Sequence, residues 1–131
     1  MIVDTSALAA IALREPEAES FYDLIMLASA PKLSAVSFVE LVEVFARKTD
    51  AADPLEATRE SLAELGIAII SVSADQAALA SQARIVYGKG RHRADLNFGD
   101  VFVYALAKSL DEPLLFKGND FIHTDVKRAA P

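Results

Sequence analysis

Short apolar runs alternate along this chain with longer segments whose apolar residues recur at helical spacing. Ile2–Asp4 predicts a short buried strand ending on an acid, followed at once by a helix from Ser6 or Ala7 to Leu13. After Glu15-Pro16, the residues Phe21, Leu24, Ile25 and Leu27 mark a second helix, from Glu17 to about Ser29, which Pro31 stops. Leu33–Val36 predicts a second strand, with Ser37 capping a helix that runs through Glu40 to about Thr49. Pro54–Leu65 predicts a further helix, closed by Gly66. Ile67–Val72 is the clearest strand in the chain, and Ser73 with Gln76 three residues on resembles a capping box for a helix reaching about Tyr87. Asn97 opens another helix, with Phe98, Val101, Phe102, Ala105 and Leu106 on its apolar side, ending near Leu110. Pro113–Phe116 predicts a last buried strand, and from Gly118 the pattern weakens.

Strands alternating with amphipathic helices predict an α/β domain with a mainly parallel sheet and helices on both faces. A length of 131 residues supplies one ordinary core, so a single domain over residues 1–131 is expected. The 53% hydrophobic and 24% charged fractions suit a chain that folds throughout. With no cysteine there is no disulfide framework and no thiolate site, so any metal must be held by oxygen or imidazole. The N-terminus lacks the basic stretch and apolar run of a signal peptide, and no run approaches the roughly 20 apolar residues of a membrane span. A cytoplasmic protein is therefore expected. A net charge of −6 argues against nucleic acid as a partner, unless several of the acids converge on a divalent cation that receives phosphate.

In an open parallel sheet, ligands bind beyond the carboxyl ends of the strands. Asp4 closes the first predicted strand and Asp120 follows the last; Asp100 lies in the first turn of the helix opened by Asn97, and Glu40 in the first turn or so of the helix after the second strand. Four carboxylates at one edge suit a hard divalent cation such as Mg²⁺. Such an ion activates water and offsets charge developing on a phosphate, which points to phosphodiester hydrolysis. Each acid also has a structural role open to it. Asp4 fits an Asx turn or cap, Asp100 the N3 partner of Asn97, and Asp120 a turn in Gly118-Asn119-Asp120. Glu43 pairs with Arg47 at i,i+4, whereas Glu40 gains only repulsion from Glu43 and is better placed beside a cation. Asp125 stands outside the set.

Taken together, Val3-Asp4-Thr5-Ser6, Glu40, Leu96-Asn97-Phe98-Gly99-Asp100 and Phe116-Lys117-Gly118-Asn119-Asp120-Phe121 resemble VapC-type PIN domains, the ribonuclease toxins of the VapBC toxin–antitoxin family. The likeness covers essentially the whole chain, and the Tyr87–Arg93 run strengthens it. It implies a Rossmann-like three-layer α/β/α sandwich, dependence on Mg²⁺ or Mn²⁺, endonucleolytic cleavage of RNA, and inhibition by a VapB-type antitoxin. By position it implies that Asp4 and Asp100 are the principal metal ligands, that Glu40 supports them directly or through water, and that Asp120 is the family's more variable fourth acid. Thr5 and Ser6 then orient a carboxylate or a metal-bound water, with Asn97 in support. The loop bearing Lys89, Arg91, His92 and Arg93 is the densest positive charge in the chain and immediately precedes the Asp100 helix. It is either a solvated connection or, with Lys117, a surface holding an RNA backbone near the metal.

Two other classes compete. A receiver-like signalling domain also gathers acids and a lysine such as Lys117, but needs an acceptor Asp at the end of the third strand, where Ile69-Ile70-Ser71-Val72 has none before Asp75. A non-catalytic interaction module would use the second and third helices, where Phe21, Leu24, Ile25, Phe38, Leu41 and Phe45 offer more apolar surface than one small core buries. The same surface suits an antitoxin groove or a homodimer.

Overall fold

The computed structural model describes residues 1–129; Ala130 and Pro131, within the expected single domain, lie outside the described residues. Four strands, β1 (Ile2–Val3), β2 (Lys32–Ser34), β3 (Ala68–Ile70) and β4 (Leu114–Leu115), form one all-parallel sheet in the order β3-β2-β1-β4. Six helices pack around it: α1 (Thr5–Ala12), α2 (Ala18–Leu27), α3 (Ala35–Lys48), α4 (Pro54–Glu64), α5 (Ala74–Tyr87) and α6 (Phe98–Leu110). The winding runs from β1 outward to β3, then crosses back through α5 and α6 to place β4 on the other side of β1. Strand order therefore reverses at β1, where this sheet class opens a crevice.

The strands are apolar at successive positions because both faces of the sheet are covered. Ile2 and Leu114 enter a core with α5 and α6, while their neighbours Val3 and Leu115 enter a second core with α1, α2, α3 and α4. The result is the α/β/α sandwich expected. Among the described residues, no helix is long and apolar enough to cross a membrane.

Three boundaries differ from the sequence reading. The strand predicted at Leu33–Val36 ends at Ser34, which caps α3 by accepting from the Val36 N–H at 3.3 Å. Ser37 lies inside that helix, fully buried, and its hydroxyl finds no partner among the described residues. Val36 is apolar and β-branched and fits either element; register against β3, which runs from Lys32 to Ser34, decides between them. The strand predicted at Ile67–Val72 shortens to Ala68–Ile70 and is the sheet's exposed edge. Phe98, placed by periodicity on the apolar side of α6, is 65% exposed. The weakly patterned tail forms turns after Asn119 and returns to bridge Leu114 at Arg128.

Candidate active site

Asp4 occupies the crevice because β1 ends on it and α1 begins after it. Its backbone N–H donates to the Leu115 carbonyl at 2.9 Å, continuing the β1–β4 pairing by one residue. Its side chain caps α1, with Oδ2 accepting from the Ser6 N–H at 3.0 Å and from the Ser6 hydroxyl at 2.6 Å. Ser6 Oγ in turn accepts from the Lys117 N–H at 2.9 Å, so the first acid is tied to the chain leaving β4. Asp4 is only 8% exposed, and burial pushes its carboxyl above the ordinary range. The Ser6 bonds oppose that shift, and the charge of Asp120 adds to it.

Asp100 reaches the same edge from α6. Asn97 accepts from the Asp100 N–H at 2.9 Å, and Asp100 Oδ2 accepts from the Asn97 N–H at 2.9 Å, a complete capping box. Burial, followed by the charges of Asp4, Asp120 and Glu40, pushes the Asp100 carboxyl up to about 7, although the Asn97 N–H pulls the other way. Glu40 stands in the second turn of α3, and burial and the Asp4 charge raise it too. Thr5 Oγ1 donates to the Ser37 carbonyl at 3.3 Å and lies 3.4 Å from Glu40 Oε1. A cleft of about 270 Å³, lined by Thr5, Glu40, Glu43, Val44, Arg47 and Lys48, opens beside this acid.

Gly99 is the residue that sequence reasoning passed over. A Cβ built on it would stand 2.8 Å from Glu40 Oε2 and 3.2 Å from Oε1, so the missing side chain lets α6 close against the Glu40 carboxylate. The available signal was a glycine in the first turn of a helix, where it costs about 1 kcal/mol relative to alanine.

Asp4, Glu40, Asp100 and Asp120 thus share one space, and the charges of neighbouring acids add to the raised proton affinity of Asp4, Glu40 and Asp100. Among the described residues, no three of them stand close enough in this side-chain arrangement to share one ion. Asp100 is turned back onto its own helix end, where Oδ2 accepts from the Asn97 N–H. The donor set is all oxygen, as a hard divalent cation requires.

The basic residues fall into three groups. Lys89, Arg91 and Arg93 are exposed and form no ion pair among the described residues. His92 packs edge-on against Tyr87 at 5.1 Å, and its Nδ1 accepts from the Ala94 N–H at 3.0 Å, so it organises the loop. The Lys117 ammonium is held by Glu15 and, at 3.2 Å, by Glu17, which offsets its charge. Asp125 accepts from the Tyr104 hydroxyl at 2.7 Å and from Lys108 at 3.0 Å, on α6.

The Asp100 shift makes a prediction about stability. An unfolded Asp titrates near 3.8 and the folded group near 7, so between these values the native state holds a proton that the unfolded state has lost. Native stability therefore falls as pH rises through that window. Asp100→Asn, which retains an acceptor for the Asn97 N–H, removes this loss. The stability gap between the variant and wild type is expected to widen from pH 4 to pH 7 in metal-free urea denaturation. A gap independent of pH would show that the Asp100 carboxyl is ordinary.

A family model described as the PIN domain matches residues 1–127. Ribonuclease VapC30 of Mycobacterium tuberculosis is 42% identical over 130 residues, covering 99% of this chain and 98% of that protein. Ribonuclease VapC of Mycolicibacterium smegmatis is 43% identical over 126 residues, covering 96% and 97%. In three dimensions the chain superposes on Mycobacterium tuberculosis VapC20, described as a sarcin-ricin loop cleaving toxin, with a TM-score of 0.79 at 17% identity over 99% of this chain and 98% of that one. A toxin–antitoxin complex from Klebsiella pneumoniae matches with a TM-score of 0.73 at 20% identity, covering 95% and 92%. Crevice position, oxygen donors and full-length similarity agree, and the chain belongs to the PIN-domain family and, within it, to the VapC ribonucleases.

Proposed function

We propose that this protein is a divalent-metal-dependent endoribonuclease, the toxin half of a VapBC-type pair, restrained by a VapB-type antitoxin. The observation that carries the metal reading is that four carboxylates from four segments of the chain face one space, where burial and the charge of neighbouring acids raise the proton affinity of Asp4, Glu40 and Asp100, an arrangement a cation relieves. Its relatives' names supply the substrate class, RNA.

Asp4 and Asp100 would hold Mg²⁺ or Mn²⁺, with Glu40 and Asp120 completing the site directly or through water. The bound ion supplies a Lewis acid and lowers the proton affinity of its water. The chain's own residues prepare the acids. Ser6 fixes the Asp4 carboxylate through two bonds, Thr5 stands over Glu40, and the Asn97 N–H steadies Asp100 through Oδ2. Asp100 Oδ1 has no hydrogen bond among the described residues and remains available. Lys89, Arg91 and Arg93 would contact the RNA backbone, whereas Lys117 mainly holds Glu15 and Glu17. Phe21, Ile25 and Leu41, expected from the sequence to be part of a docking surface, are buried in the core, and Leu24, Phe38 and Phe45 pack against it; the apolar side chains left exposed are Tyr22, Met26 and Leu27 on α2 and Val39 on α3, with Leu27 at 85%, and these would meet an antitoxin or a second copy.

The test is cleavage of defined RNAs by antitoxin-free protein. Cleavage is expected with Mg²⁺ or Mn²⁺, lost in EDTA and regained with excess metal. Cutting that persists in EDTA would remove the metal from the mechanism, and a folded protein that cuts no RNA would overturn the proposal.

Two further outcomes follow. In Gly99→Ala the atoms nearest the new methyl belong to the flexible end of Glu40, so the fold is expected to hold while cleavage falls about 10- to 100-fold, as for other groups that orient metal ligands. Unchanged cleavage would show that the placement of Glu40 is immaterial. Neutralising Arg91 and Arg93 together is expected to flatten the salt dependence of single-stranded RNA binding by about 1.4 in log–log slope, about 0.7 per lost phosphate contact. An unaltered slope would leave the loop a solvated connection.

A further inference from the structure

Phe98 is the first residue of α6, two positions before Asp100, and its ring lies open to solvent although it opens an otherwise largely buried helix. Two positions along a helix correspond to a rise of about 3 Å and a rotation of about 200°, so ring and acid share a helix end and point to different sides of it. The ring is held in place. Phe102 meets it edge-on with centroids 5.2 Å apart, and the Arg84 guanidinium, from the last turn of α5, lies over it at 5.7 Å from the centroid. Arg84 is exposed and forms no ion pair among the described residues. Leaving a large aromatic side chain mostly in water forgoes the free energy of burying it, and this one touches the core only through Phe102.

We infer that Phe98 is a stacking platform for an unpaired base of the bound RNA, with Arg84 contacting the phosphate of that nucleotide. This rests on the ribonuclease reading above and deepens it: the RNA presents an unpaired base where it meets this ring. A π-face stacks on any base, and a cation beside it matches the backbone charge. Ile85 and Val86 extend the exposed surface along α5, making a protein partner the competing occupant. Charge favours RNA. Arg84 lies over the ring without an ion pair among the described residues, and the exposed Lys89, Arg91 and Arg93 follow in the loop that joins α5 to α6, the densest run of positive charge in a chain whose net charge is −6.

The chain contains no tryptophan, so Phe98→Trp introduces a single indole at the proposed contact, excited at wavelengths beyond the absorption of the three tyrosines. The experiment measures binding of a short fluorescein-labelled single-stranded RNA in EDTA, cleavage of the same RNA in Mn²⁺, and the oligomeric state, for wild type and for Phe98→Ala, Phe98→Leu, Phe98→Tyr, Phe98→Trp and Arg84→Gln. Phe98→Ala and Phe98→Leu are expected to bind about five- to one-hundred-fold more weakly with an unchanged salt slope, and Phe98→Tyr to bind like wild type. RNA is expected to quench the Phe98→Trp emission, and Arg84→Gln to lower the salt slope by about 0.7. Wild type that cuts RNA while Phe98→Ala and Phe98→Leu bind and cut equally well would overturn the stacking platform and leave the ribonuclease reading standing. Loss of self-association in these variants with RNA binding unchanged would assign the ring to a protein interface and overturn it likewise. Wild type that neither binds nor cuts RNA would overturn both readings.

Discussion

Asp4→Asn and Asp100→Asn are each expected to slow RNA cleavage about a thousandfold at saturating metal, from the loss of several kcal/mol of charge stabilisation at roughly 1.4 kcal/mol per tenfold. The substitutions keep volume and an acceptor oxygen, so the cap on α1 and the box on α6 survive in both. The fold should be intact, and the measured loss then belongs to the charge. The double variant is expected to be hardly slower than either single one, because two ligands to one ion act as a unit. Single-turnover cleavage across a metal titration checks this. Losses that multiply would place the two acids on separate tasks, and a fully active Asp4→Asn would remove that residue from the site.

The largest expected loss of stability is in Phe121→Ala, about 3–5 kcal/mol. Phe121 is 2% exposed and meets Phe116 edge to face at 5.2 Å, which pins the turns after β4 to the core. Its carbonyl accepts from the Thr124 N–H at 3.1 Å and the Thr124 hydroxyl at 2.7 Å. Asp120 precedes it directly, so this packing also sets where the fourth acid stands. Urea denaturation of Phe121→Ala measures the first effect. Phe121→Leu, which keeps most of the volume, is expected to fold and to cleave more slowly than wild type if Asp120 contributes. A loss well under 1 kcal/mol in the alanine variant would mean that the tail docks without this ring.

Where the physics is local, the sequence was legible. Asn97 and Asp100 sit three residues apart and satisfy each other's N–H groups whatever the rest of the chain does. Asp4 follows two apolar residues and caps the helix after it, so strand end and acid coincide within a few residues. Ser73 caps α5 as expected, but Gln76 turns its side chain to the Ser71 carbonyl, so only half of the predicted box forms. Boundaries set by pairing were not legible. β2 stops at Ser34 because its partners do, and β3, the most strand-like run in the sequence, is the exposed edge. β-propensity reports fit to a pleated surface and says nothing of a strand's rank within the sheet.

The sequence by itself determined the kinds of element, the parallel α/β class and which acids end up at strand ends and helix starts, because caps, periodicity and alternation act over a few residues. Only the tertiary structure decided how those groups affect one another. Lys117 carries an offset charge because Glu15, 102 positions away, reaches it across the fold. Gly99 matters because α3 brings Glu40 against it. Asp100 holds its proton to about pH 7 because the fold buries it and three other carboxylates share its space. Coulomb and desolvation effects depend on distance through the folded protein, and distance along the chain does not fix them.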